Sequence, residues 1–295
     1  MMLRPLIRPL VRPLTRRVTE PGFGWSPRAL FANGEQGAWY DPSDLSTLYR
    51  DSAGTRPVTA LGQPVGLMLD KSKGLARGPE LVTDGGFDSE TVWWSVVKGT
   101  AVINSGALVC TDTGGGITLY KDGVTTAGKW YEINLDLVSA SSNLVVYVES
   151  PPVTFSSTPG RKRAIALAST TRVAFQIGGG VGATFTIDNI SVRELPGNHA
   201  RQPTGTARPT LAAGGALDYD GVDDKLTTTF PDLGTNVTIA RSIPGVGASV
   251  LTGQTIGAGA RDDSTDHHGL LIINRALTAP ETALVTRWAN MRAGV

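Results

Sequence analysis

Apolar and polar residues alternate with a period of two along most of this chain, which predicts β-strands. In residues 130–138, Tyr131, Ile133, Leu135 and Leu137 share one face of the predicted strand, and the polar residues between them share the other. The same kind of pattern predicts further strands at 66–70, 101–109, 117–120, 144–148, 164–168, 173–177, 236–241, 249–256 and 269–274. With 36 Gly and 18 Pro available for turns, the pattern indicates an all-β fold.

Residues 184–193 contain a change of phase within one strand. Phe185 and Ile187 lie at odd positions, whereas Ile190 and Val192 lie at even positions. Because side chains alternate between the two faces, the apolar face is kept only if one residue is added in between. We therefore predict a β-bulge near Asp188–Asn189.

Residues 216–226, ALDYDGVDDKL, combine a predicted core strand with a tight turn at Asp220–Gly221. The segment is rich in carboxylates, but it does not have the twelve-residue calcium loop that ends in Glu. We predict a solvated turn and no metal site from the acidic residues Asp218, Asp220, Asp223 and Asp224.

The chain ends in a predicted α-helix. Thr278 and Glu281 have the spacing of a capping box, and Gly294 follows as a helix-ending residue. The apolar residues at helical spacing are Leu284, Val285, Trp288 and Met291.

Residues 4–15 repeat one tetrad three times, RPLI RPLV RPLT, so that a proline recurs at every fourth position. These prolines prevent a helix and also interrupt any apolar stretch that a secretory signal peptide would need. We expect an extended arm over residues 1–24 that docks into an acidic groove of a partner; a disordered tail is the alternative. The charge for docking comes from Arg4, Arg8, Arg12, Arg16 and Arg17.

Composition excludes several classes of function. The 295 residues suffice for about two domains, and no apolar run approaches the length of a membrane span. The net charge is +1, but the five arginines of the arm supply the excess, so we expect no nucleic-acid groove on the body. The single cysteine, Cys110, is expected to be a small buried hydrophobic residue.

No arrangement typical of an active site stands out. The chain has three histidines, and it lacks a nucleophile elbow and a phosphate-binding loop. Its one cluster of acids and histidines has two adjacent histidines, which point to opposite faces of a strand, so we expect a structural or solvent-exposed role. That cluster is Asp262, Asp263, Asp266, His267 and His268. We predict a non-enzyme without a cofactor.

Four blocks resemble the start of concanavalin-A-like (laminin-G type) jelly rolls in tail and fibre proteins of tailed phages. They are WYDPSDLSTL at 39–48, LDKSKG at 69–74, GNHARQ at 197–202 and LDYDGVDDKL at 217–226. In that family the second and third blocks follow each other directly, whereas here roughly 120 residues separate them. The resemblance therefore implies one β-sandwich domain interrupted by another, a tolerated arrangement where chain ends lie close together.

The interrupting segment, 79–195, resembles galactose-binding-like carbohydrate-binding modules. The resemblance rests on ELVTDGGFD at its start, the pair Trp93–Trp94, and TIDNISVREL at its end. It implies sugar recognition by aromatic rings, with Trp94, Tyr120 and Trp130 as the candidate ligand-binding residues. A structural calcium ion at Asp188 is a further implication, for which the sequence offers no second ligand.

Together these features predict a docking arm at 1–24, a discontinuous jelly roll at 25–78 and 196–295, and an inserted sandwich at 79–195. The resemblance implies a non-enzymatic virion protein of a phage tail tip, baseplate or fibre, bound to other tail proteins through the arm and homo-oligomeric, with a trimer favoured. Its sandwiches would attach to a glycan or protein of the host surface. The alternatives are a secreted or cell-surface carbohydrate-binding protein and a polysaccharide-degrading spike.

Overall fold

The computed structural model describes residues 24–89 and 94–295. The predicted docking arm up to residue 23, with its five arginines, therefore lies outside the described residues. Trp93 also lies outside them. Within the described ranges, no helix combines the length and apolarity needed to cross a bilayer.

The strands fall into three groups along the chain. The first group is β1 (Gly37–Tyr40), β2 (Leu48–Tyr49) and β3 (Leu67–Met68). The second is β4 (Ser95–Val97), β5 (Gly99–Asn104), β6 (Ala107–Asp112), β7 (Thr118–Lys121), β8 (Trp130–Ala140), β9 (Leu144–Tyr147), β10 (Val153–Phe155), β11 (Gly160–Leu167), β12 (Val173–Ile177) and β13 (Thr184–Glu194). The third is β14 (Ala200–Arg201), β15 (Thr210–Ala212), β16 (Ala216–Asp218), β17 (Leu226–Phe230), β18 (Gly234–Ile243), β19 (Gly247–Ile256), β20 (Gly259–Asp263) and β21 (Gly269–Ile273), followed by helix α1 (Ala279–Ala293). Short 3-10 helices occupy Pro27–Phe31, Leu45–Thr47, Gly205–Ala207 and Ala213–Gly215.

The middle group forms one sandwich, which we call the insert. Its two antiparallel five-stranded sheets have the orders β10-β9-β12-β7-β4 and β11-β8-β13-β6-β5. The apolar face predicted for 130–138 is buried: Ile133 and Leu135 pack with Leu119 and Phe175 in one core. The insert thus has a hydrophobic core of its own, separate from the others.

The remaining strands form the outer sandwich. Its sheets have the orders β1-β21-β18-β19 and β2-β3-β14-β17-β20, with β15 and β16 as a separate pair. Strand β3, before the insert, pairs with β14, after it, and brings Met68 opposite Ala200. The predicted all-β class, with one sandwich inserted in another, is confirmed, while the exact boundaries at 24, 78 and 195 stay predictions.

Asp70 ties the separated sequence blocks together. Its carboxylate accepts hydrogen bonds from the backbone N–H groups of Trp39 (2.9 Å), Ser72 (2.8 Å) and Asn198 (2.9 Å). Its own N–H donates to Nδ1 of His199 at 3.0 Å. Residues from the WYDPSDLSTL, LDKSKG and GNHARQ blocks therefore meet at one buried carboxylate.

Helix α1 covers the outer face of the four-stranded sheet. The capping box at Thr278 and Glu281 and the left-handed Gly294 at the C-terminus are as predicted. Val285, Trp288 and Ala289 are buried, but Met291 is exposed, so its assignment to the apolar stripe is wrong. At about 100° per residue, Met291 lies roughly 115° from the centre of the buried stripe formed by Val285, Trp288 and Ala289.

Two local features of the insert test the periodicity argument. The bulge is confirmed, since the pairing register of β13 shifts between Asp188 and Ser191, and Asn189 has a positive φ of 49°. The single strand predicted at 101–109 is wrong: Ser105 and Gly106, with φ of 54° and 75°, form a two-residue loop between β5 and β6. Positive φ at both loop residues is typical of a tight hairpin turn.

Candidate functional site

Trp94 lies in the core of the insert and not on its surface. Its side chain is 5% exposed, and its ring packs against Phe175 with 5.5 Å between the ring centroids. A ring enclosed in this way has no free face for a sugar, so the structure contradicts its proposed role in ligand binding.

Trp130 points away from the core of the insert, but the outer sandwich covers it. It is 6% exposed, lies 5.1 Å from the ring of His199, and has the guanidinium of Arg201 above it at 5.7 Å. It belongs to an apolar cluster between the two sandwiches, the junction cluster, which consists of Tyr49, Leu67, Leu69, Trp130, Ile165 and Leu195. Trp130 therefore holds the sandwiches together, and its proposed role in ligand binding is also contradicted.

Tyr120 is the one predicted aromatic residue that lies on an open face. It is half-buried on β7, and Arg172 stacks over its ring at 4.1 Å. Two hydrogen bonds from Arg172 to Asp122, of 2.7 Å and 3.0 Å, hold the guanidinium in this position. The ring is thus fixed at the sheet surface.

Sequence reasoning missed a second tyrosine on this face. Ala174 on β12 is paired with Tyr120 on one side and with Tyr147 of β9 on the other. Residues opposite each other across strands share a face, so the two tyrosines lie on one surface, about 10 Å apart at two strand spacings. Tyr147 is 40% exposed, and Val146 and Val148 on either side of it are buried.

The neighbouring row of the same face contains two polar side chains. Gln176 is paired with Thr118 on β7 and with Val145 on β9. The amide and the hydroxyl can exchange hydrogen bonds with a ligand, while the tyrosine rings offer apolar surface with a polar tip. We call this surface, made of Thr118, Tyr120, Tyr147, Arg172 and Gln176, the tyrosine face.

A buried ion network at the junction fixes the insert against the outer sandwich. Glu132 accepts hydrogen bonds from Arg77 (2.7 Å) and Arg163 (2.7 Å), and Arg163 also donates to the hydroxyl of Tyr49. Burial favours the neutral acid, but the hydrogen bonds from the two guanidinium groups outweigh it and lower the pKa of Glu132 to about 2. The carboxylate is therefore ionised at neutral pH.

The predicted His-acid cluster is structural in part. His267 is fully buried and its Nε2 lies 2.9 Å from Asp263, which also accepts from Arg241 at 2.6 Å. Despite the opposing effect of burial, the interactions of Asp263 with His267 and Arg241 lower the pKa of its carboxyl to about 2. This network lies inside the outer sandwich, between its sheets.

Asp220, Asp223 and Asp224 lie close together, with their carboxylate oxygens within 4.8 Å of one another. One oxygen of Asp220 accepts the backbone N–H groups of Val222 (2.8 Å), Asp223 and Asp224. This carboxylate therefore stabilises the tight turn that was predicted from the sequence.

Cys110 is fully buried in the core of the insert, as expected for a small hydrophobic residue. Burial raises the pKa of its thiol to about 12, which keeps it protonated and unreactive at neutral pH.

No family model matches this chain, and no curated protein matches it. Solved structures do. A mutant of the family 29 carbohydrate-binding module CBM29-2 in complex with cellulohexaose is 15% identical, with a TM-score of 0.31, over 41% of this chain and 93% of that one. A CBM4 structure is 13% identical, with a TM-score of 0.28, over 38% and 99%.

Proposed function

We propose that this protein is a non-enzymatic glycan-binding protein and that the tyrosine face is its binding surface. The observation that carries the proposal is the pairing of Tyr120 and Tyr147 on either side of Ala174. Two rings at this spacing, beside the side-chain amide of Gln176, provide apolar contact and hydrogen bonding at once. Arg172 holds one ring in place, so little ordering is needed on binding.

Substitution of the two tyrosines tests the proposal. The full chain, Tyr120→Ala, Tyr147→Ala and the double variant are compared by affinity electrophoresis in gels that contain cellulose-type, mannan-type or galactose-type soluble polysaccharides. We expect at least one polymer to retard the native chain. Each single variant should bind that polymer with about tenfold weaker affinity, and the double variant should not be retarded. Val222→Ala, at an exposed position of the outer sandwich, is the matched control.

The proposal is wrong if the double variant is retarded as strongly as the native chain. It is also wrong if no polysaccharide of the panel retards the native chain.

We further propose that the protein is carried on a phage tail, with the arm docked into the particle and the insert facing outward. The sequence blocks that meet at Asp70 support this placement through their resemblance to phage jelly rolls. Gold labelling tests this placement. A gold-labelled antibody against residues 79–195 is applied to particles purified from the strain that encodes the chain. We expect label at one end of the tail, whereas bare particles and free antigen favour a secreted or cell-surface binding protein.

The docking arm has a separate test. We expect replacement of its five arginines by serine to abolish incorporation of the chain into particles, because the charge of the arm would be lost. Unchanged incorporation would mean that charge does not dock the arm.

A further inference from the structure

A cleft of about 340 Å³ opens where the insert meets the outer sandwich. Both sandwiches contribute to it. The outer sandwich supplies Thr55 and Arg56, and the insert supplies Thr154, Phe155, Ser156, Arg161, Lys162 and Arg163. Four of these eight residues are cations and none is an acid, so the lining is strongly basic.

The cations differ in how fully they are neutralised. Arg163 shares Glu132 with Arg77, so that two guanidinium groups face one carboxylate. Lys162 has the hydroxyl of Ser156 at 3.3 Å and, among the described residues, no carboxylate within 4.0 Å. About two positive charges at the cleft are therefore not balanced by a neighbouring acid.

The other two cations are free to change partners. Arg56 pairs with Asp51 at 3.2 Å and Arg161 with Asp136 at 3.4 Å, and both arginine side chains are about 60% exposed. Surface ion pairs of this kind contribute roughly 0–1 kcal/mol, so an incoming anion can replace the acidic partner at low cost.

The cleft continues directly from the tyrosine face. Thr154 lines the cleft and is also paired with Val145, two residues before Tyr147 on the same side of β9. Thr154 therefore lies on the same side of the sheet as Tyr147 and Tyr120. A ligand that crosses the strands from Tyr120 passes Tyr147, then Thr154, and reaches the cations.

From this geometry we infer that the cleft binds the oxyanion of an acidic sugar, a carboxylate or a phosphate, as the anionic end of the glycan surface. The inference rests on the proposed function, which it extends from sugars in general to acidic ones. Arginine and lysine bind such oxyanions by charge-assisted hydrogen bonds, and the hydroxyl groups of Thr55, Thr154 and Ser156 suit the sugar hydroxyls beside the anion.

Titration of the full chain with small sugars, followed by amide NMR signals of residues 154–163, tests this inference. The probes are glucuronate, glucose 6-phosphate, glucose and inorganic phosphate. We expect saturable shifts with glucuronate or glucose 6-phosphate, at an affinity at least tenfold above that of glucose and of inorganic phosphate. Which acidic sugar binds identifies the carboxylate or the phosphate as the preferred group.

Two variants complete the test. We expect the double variant Arg161→Gln/Lys162→Gln to lose at least tenfold in affinity for the acidic sugar. Lys129→Gln, which removes a cation paired with Glu194 outside the cleft, should leave the affinity for the acidic sugar unchanged.

The inference is overturned if neither acidic sugar shifts these signals, or if the double variant binds as well as the native chain. Equal binding of inorganic phosphate also overturns it, because it means an adventitious anion site. The tyrosine variants distinguish failure of this inference from failure of the proposed function. If polysaccharide binding depends on Tyr120 and Tyr147 but no acidic sugar binds in the cleft, the proposed function stands and only the inference is wrong.

Discussion

At the scale of single residues, Asp70 shows how one carboxylate organises a discontinuous domain. It is fully buried, and it satisfies backbone N–H groups that come from both sides of the insert. A buried donor that loses its acceptor costs about 1–3 kcal/mol, and three donors depend on this residue.

We therefore predict that Asp70→Ala lowers the free energy of unfolding of the outer sandwich by about 3 kcal/mol or more. Urea unfolding followed by circular dichroism measures the change. Asp218→Ala, at an exposed position on β16, is the control and should stay within about 0.5 kcal/mol of the native chain. A loss for Asp70→Ala no larger than that of the control would mean that the three N–H groups find other acceptors.

Single residues also show where sequence reasoning fails. Trp130 alternates with the buried Tyr131 and shares its face with Glu132, Asn134 and Asp136, so periodicity predicts exposure. The prediction is wrong because the outer sandwich covers one end of that face, and alternation cannot distinguish water from a second domain. Tyr147 was missed for a related reason: its position beside Tyr120 depends on a strand register that the sequence does not contain.

At the scale of elements, the junction between β14 and β8 contains a buried titratable group. His199 is buried against the Trp130 ring, and its Nδ1 accepts the N–H of Asp70. Burial lowers the pKa of His199 to about 3, from an ordinary value of 6.5. The unfolded chain therefore takes up a proton below pH 6.5 that the folded chain does not.

It follows that the free energy of unfolding decreases as the pH falls from 6.5 towards 3, by at most about 1.4 kcal/mol per pH unit from this residue. Urea titrations at pH 7.5, 6.0 and 5.0, followed by tryptophan fluorescence, measure the slope. In His199→Asn the amide oxygen lies where Nδ1 was and can still accept from Asp70, but it does not titrate, so we expect a shallower slope. Equal slopes in the two proteins would rule out a buried neutral histidine.

The sequence predicted best those elements whose features depend on local residues alone. The phase change at Asp188–Asn189 identified the bulge of β13, and the capping box identified the start of α1. The turn at Ser105–Gly106 was missed because Val102, Ile103, Leu108 and Val109 continue the apolar character across it. The apolar pattern thus identified the strands, but it did not show where one strand ends and the next begins.

At the scale of the whole molecule, the insert has its own core, and we predict that residues 79–195 fold when they are expressed alone. Circular dichroism should show a β-sheet spectrum and a cooperative heat melt. The isolated insert also exposes its side of the junction cluster, so it should bind a hydrophobic dye more strongly than the full chain. Trp130→Gln in the isolated insert should reduce dye binding, and an unfolded fragment would contradict the prediction.

The two chain segments that connect the sandwiches run side by side. Met68 faces Ala200, the N–H of Gly78 donates to the carbonyl of Glu194 at 2.8 Å, and that of Leu81 donates to the carbonyl of Val192 at 3.0 Å. The two ends of the insert are therefore adjacent, and the gap that the insert leaves in the outer sandwich is short. In genetic terms, one uninterrupted stretch of coding sequence with adjacent ends encodes the whole insert, so recombination at a single place can exchange the insert and leave the scaffold unchanged.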